Sequence, residues 1–167
     1  MTASKAELLA KLRTSGEEIV NKLRALLPDS FELGRYESGW NGRQILAHIA
    51  SIEWSYPRLI DVAREAQSPK PAASEAKPAE PATRPMRGGI DDYNARQVEK
   101  RAHMSVDELI GEFETNRATT IAAFQQADES LLNQPIRSAG GVTGPLADVV
   151  SMIAIAHVDQ HARDIAG

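Results

Sequence analysis

Gly144-Pro145-Leu146-Ala147-Asp148-Val149-Val150-Ser151-Met152-Ile153-Ala154-Ile155-Ala156-His157-Val158-Asp159-Gln160-His161-Ala162-Arg163-Asp164-Ile165 is the stretch on which the fold turns. Proline is well placed at the first position of a helix, where its missing N–H has no partner to lose. Leu146, Val150, Ile153 and His157 then fall on one stripe, which predicts a core-facing helix over residues 145–165. An α-helix turns about 100° and rises about 1.5 Å per residue, so His157 and His161 share a face about 6 Å apart. Imidazoles at that spacing can hold one metal ion. An ion such as zinc wants at least three protein ligands, and a catalytic one keeps a further position open.

His48 is the candidate for the third ligand. It lies in Trp40-Asn41-Gly42-Arg43-Gln44-Ile45-Leu46-Ala47-His48-Ile49-Ala50, and Ile45, Ile49, Ile52, Tyr56 and Leu59 mark the stripe of a second helix. Three residues after Ile45 and four before Ile52, His48 is on or beside the core face. The expectation is that the fold brings His48, His157 and His161 together as a metal site. Pro57 removes the backbone bond to Glu53 and should kink or divide this helix.

The remaining elements follow from caps and periods. Ser4-Lys5-Ala6-Glu7 has the form of a capping box, Leu8, Leu12, Ile19, Leu23 and Leu26 follow at helical spacing, and Pro28-Asp29 stops the run. Gly16 costs about 1 kcal/mol against alanine inside this first helix. Residues 67–89 change to Pro, Ala, Lys and Glu, and five prolines within them predict a long, extended, mobile crossover. Residues 91–101 form a short helix. Ser105-Val106-Asp107-Glu108 repeats the capping box before a longer helix with Leu109, Phe113, Ile121 and Phe124 inside. Residues 128–143 read as a loop with extended backbone around Ile136. No alternating run demands a sheet, so the fold class is all-α, a four-helix bundle with the long Pro-rich crossover after helix two.

Length and composition narrow the function. With 167 residues the chain fits one domain, 1–167, and without cysteine it has no disulfide, thiolate metal site or cysteine nucleophile. A net charge of −4 and few aromatic residues argue against nucleic acid as a partner. No apolar run approaches the roughly 18 residues of a membrane span, and no signal peptide opens the chain, so a cytoplasmic protein is expected.

The Trp-led helix with Leu46-Ala47-His48-Ile49-Ala50, the middle Asp92-Tyr93-Asn94-Ala95-Arg96 and the C-terminal His157-Val158-Asp159-Gln160-His161-Ala162-Arg163-Asp164-Ile165 together give the chain a resemblance to the DinB/YfiT-like family of metalloenzymes. The resemblance implies a four-helix bundle of unusual topology, a homodimer, and a divalent ion held by three histidines, which map to His48, His157 and His161. It further implies a small-molecule substrate, including a low-molecular-weight thiol, while the cofactor follows from the donors themselves, since three imidazoles accept zinc, nickel, iron(II) or copper. Members of the family that the chain resembles divide among metal-dependent thiol S-transferases, maleylpyruvate isomerase-like proteins, resistance proteins that destroy toxins and many with no known activity. From the metal chemistry, hydrolysis and thiol S-transfer through metal-activated water or thiolate are expected here. The Pro-rich crossover has no counterpart in the family pattern. A two-domain isomerase would be incomplete here.

Each residue also has a plainer reading. His48 alone could be a hydrogen-bonded core residue, and His103, after Lys100 and Arg101 at a helix end, is read as structural or exposed. Val158 stands where a His-Glu-x-x-His protease carries its base, so a peptidase is disfavoured. Gln44 and Asn41 either line the cavity or start their helix. Asp164 either orients an imidazole or is a surface charge. Glu53, about 140° round the helix from His48, is a poor ligand. Trp40 and Trp54 are read as packing residues. The rival to an enzyme is a non-catalytic bundle that binds a small molecule or partner, with a structural or vestigial metal.

Overall fold

The computed structural model describes residues 3–36, 39–68 and 89–167. Its helices are α1 (Lys5–Arg24), α2 (Gly42–Glu53), α3 (Arg58–Gln67), α4 (Gly89–Lys100) and α5 (Val106–Gln126). An antiparallel hairpin of β1 (Pro135–Arg137) and β2 (Thr143–Pro145) follows, then α6 (Leu146–Val150) passes through a π-helical turn (Ser151–Ala156) into α7 (His157–Ala166). Among the described residues the protein is all-α apart from that hairpin.

Helix starts are where side chains satisfy free backbone N–H groups. The capping boxes Ser4–Glu7 and Ser105–Glu108 both form. A third joins Asn41 and Gln44 at the head of α2, so these two residues start their helix. Here Gly42 is required by close approach: a Cβ would lie 2.9 Å from the Ser30 carbonyl oxygen. Pro57 divides the second helix, as its missing N–H demands, and backbone bonds to the third residue back carry the chain from α2 into α3. The Glu53 carbonyl accepts from the Tyr56 N–H at 3.3 Å and from the Thr120 hydroxyl at 3.3 Å.

α1 packs on α5, α5 on α2, α2 on α7 and α7 on α1, a closed ring of four helices; α4 lies against α2, and α3 lies against β1. Two apolar layers fill the ring. One joins Leu8 and Leu12 to α3, Phe124, Leu131 and α6, and the other joins Ile19 and Leu23 to α2, Leu109, Phe113 and α7. Between them lies a buried polar junction. Arg117 makes a bidentate pair with Glu53 at 2.6 and 3.0 Å and also donates to the carbonyls of Leu12 and Ala154. Gly16 makes room for it, since a Cβ there would meet Arg117 Cγ at 3.1 Å.

Three expectations need correction. Residues 135–137 and 143–145 pair as strands, because burying Ile136 holds the loop against the core and its backbone groups then pair across the turn. Pro145 is the residue before α6, not its first, with ψ at 142° in extended conformation. The π-helical turn shifts the stripe of the last helix: the buried residues after Val150 are Ala154, Val158, Ala162 and Ile165, not Ile153 and His157. A turn closed by the wider π bond takes one more residue, so the core face falls one position later. Of the crossover expected over 67–89, residues 69–88 lie outside the described ones; its two ends are helical, α3 reaching Gln67 and α4 starting at Gly89.

Candidate metal centre

α2 and α7 pack side by side, and that contact assembles the cluster. His48 projects from the middle of α2 and is 5% exposed, whereas His157 and His161 stand at the edge of α7, His157 exposed and His161 half-buried. One ring nitrogen from each of the three lies within 4.8 Å of the others. The Nε2 atoms of His157 and His161 are 2.9 Å apart, and the His48 ring centre lies 5.1 Å from that of His161 and 6.0 Å from that of His157. All three histidines singled out in the sequence therefore meet.

Burial keeps the cluster neutral. His48 is pushed down to about 3, first by burial and then by the neighbouring His161 and His157. Burial and His157 bring His161 down to about 4, against the upward pull of Asp164. His157 is lowered by burial, with a hydrogen bond to the Ile153 carbonyl opposing. Neutral imidazoles are the form that binds metal.

The donor set fits a divalent ion. Two nitrogens each about 2.05 Å from one ion stand about 2.9 Å apart at a right angle and about 3.4 Å at the tetrahedral angle, so the His157–His161 spacing needs little adjustment. Among the described residues, His48 Nδ1 is buried with no hydrogen-bond partner. Three nitrogen donors and no carboxylate in the group suit a borderline ion such as zinc, nickel or iron(II) more than magnesium or calcium.

Around the cluster, Trp40 packs on His48 with ring centres 5.4 Å apart, while Trp54 carries the Arg58 guanidinium over its ring at 4.2 Å. Asp164 reaches His161 only through an intermediary: its Oδ2 is 3.8 Å from Nδ1, and the Tyr36 hydroxyl lies between them. Tyr36 went unread in the sequence, since it sits in an irregular connection with no period to place it. Glu53 is turned into the buried pair with Arg117, and His103 is exposed just after α4. An open groove of about 380 Å³ between α1 and α5 contains none of the three histidines. Its polar lining, which includes Arg13, Glu17, Asn21, Arg24 and Glu114, is separate from the three ring nitrogens that converge in the cluster.

The family model of the DinB superfamily matches residues 32–165. Among solved structures, the mycothiol-dependent maleylpyruvate isomerase superposes with a TM-score of 0.70 at 18% identity, over 98% of this chain and 61% of that one. A histidine-to-alanine mutant of the mycothiol-dependent maleylpyruvate isomerase gives a TM-score of 0.70 at 17% identity with the same coverage. The chain thus spans less than two thirds of those proteins, and at such identity the likeness concerns the fold. No curated protein matches. Among the described residues no helix is long and apolar enough to cross a membrane.

Proposed function

The chain belongs to the DinB superfamily, and on that premise we propose that it is a metal-dependent enzyme in which His48, His157 and His161 hold one divalent ion, zinc, nickel or iron(II). The observation that carries the reading is the convergence of three imidazoles from two helices, with ring nitrogens within 4.8 Å of one another. A divalent ion bound there supplies a Lewis acid that lowers the pKa of water or of a thiol near pH 7. The protein's own groups define the rest. His48 is deep and covered by Trp40, which keeps water from that side, so substrate enters past the exposed His157.

Two reactions follow from this chemistry, hydrolysis and transfer of a low-molecular-weight thiol. The structural neighbour is described as mycothiol-dependent, and this favours the thiol. In this reading residues 1–167 act as one unit in the cytoplasm, as a homodimer, on a small molecule. The test is to load the protein with each metal and supply a low-molecular-weight thiol with electrophiles of graded size, following product by mass spectrometry. Metal-dependent thioether formation supports the thiol reading. Metal-dependent hydrolysis of activated esters without thiol consumption moves the assignment to hydrolysis, and neither activity returns it to a non-catalytic bundle.

A further inference from the structure

The two nitrogens of a neutral imidazole are not equivalent: one carries the hydrogen and donates, the other accepts, and only the acceptor can bind a metal ion. At His161 the hydrogen bonds around Nδ1 decide which is which. The Tyr36 hydroxyl oxygen stands 2.7 Å from Nδ1 and 2.5 Å from Asp164 Oδ2. A carboxylate can only accept, so the single hydroxyl hydrogen goes to Asp164 and a lone pair of the oxygen faces His161. Nδ1 must then be the donor in that contact. This leaves Nε2 bare, and Nε2 is the atom that faces His157 in the cluster at 2.9 Å. Gln160 fixes the remaining carboxylate oxygen, its Nε2 donating to Asp164 Oδ1 at 2.9 Å. At 3.8 Å from Nδ1, Asp164 is too far to set the tautomer by itself.

We propose that Tyr36, its hydroxyl hydrogen committed to Asp164, is a positioning residue that holds His161 as the Nδ1–H tautomer and so presents Nε2 to the ion. The proposal deepens the metal-site reading and rests on it for its consequence, not for its geometry. Tyr36 comes from the connection between α1 and α2, so a segment outside the ring of helices sets the orientation of a ligand within it.

The experiment is nitrogen-resolved NMR of the metal-free protein, with zinc affinity measured alongside. Wild type should show His161 with hydrogen on Nδ1. Tyr36→Phe removes the acceptor, and hydrogen should redistribute to Nε2. Outer groups of this kind typically change metal affinity 10–100-fold, and a loss of about that size is expected while the helical signal holds. Asp164→Ala frees the hydroxyl hydrogen for His161 and should shift the tautomer the same way, which keeps the test available if Tyr36→Phe does not fold. Hydrogen on Nε2 in wild type, or a tautomer unchanged in the variants, overturns the proposal even where zinc binds tightly. A tautomer that shifts as stated in a protein that binds no zinc upholds the positioning role and defeats the metal-site reading instead.

Discussion

His48 sets the acid limit of the site, because it is the most buried of the three imidazoles and the most reluctant to carry charge. Its folded pKa lies below the unfolded value of about 6.5, so the unfolded chain takes up the proton first as pH falls. Stability is therefore full above about pH 6.5 and lost as pH falls from there toward the folded values of about 3 for His48 and about 4 for His161. Denaturant midpoints of the metal-free protein should drop between pH 7 and pH 5, and His48→Gln should flatten that drop. A flat wild-type profile over this window would contradict the neutral, buried assignment. The histidines were legible in the sequence because residue type and spacing alone select them. Their partner Tyr36 was not, since its position depends on how an aperiodic connection folds back over α7.

Helix ends and the polar junction carry the element-level predictions. Asn41 accepts from the Gln44 N–H at 2.9 Å and Gln44 returns the bond at 3.0 Å, so Asn41→Ala should destabilise the protein by about 1 kcal/mol. Equilibrium unfolding measures it, and metal stoichiometry should be unchanged. Glu53→Ala should be far worse, by about 3 to 5 kcal/mol, because it leaves the Arg117 guanidinium buried without its counter-ion. The double change Glu53→Leu with Arg117→Met should recover much of that loss in the same unfolding experiment. Arg117 was readable in principle: it falls four residues after Phe113 and seven before Phe124, on the buried stripe of α5. What the sequence does not show is its partner, since Glu53 lies 64 residues away. The π-helical turn left no such mark, for Ser151 to Ala156 are compatible with an ordinary helix. Its carbonyls instead find partners from afar, Ile153 from the Tyr56 hydroxyl at 2.8 Å and Ala154 from Arg117 at 2.6 Å.

At the scale of the whole molecule, stability and chemistry are carried by different parts. The two apolar layers run the length of the ring, while the cluster sits at the α2–α7 edge. Chelation should accordingly leave the helical signal intact and lower thermal stability only by mass action, about 2.7 kcal/mol for metal at a hundredfold over its dissociation constant. Unfolding on chelation would mark the ion as structural. The all-α class could be read from capping boxes and apolar periods, because those signals act within one helix. The pairing of residues 135–137 with 143–145 depended on burial against a distant core, which local sequence does not encode. The central claim is that His48, His157 and His161 hold one ion. Elemental analysis of protein without a histidine tag, beside His48→Ala and His157→Ala, tests it most directly. One metal ion per chain in wild type, lost in both variants with helices retained, is the expected result. No metal after incubation with zinc, nickel and iron(II), or one-to-one metal kept in both variants, would contradict it.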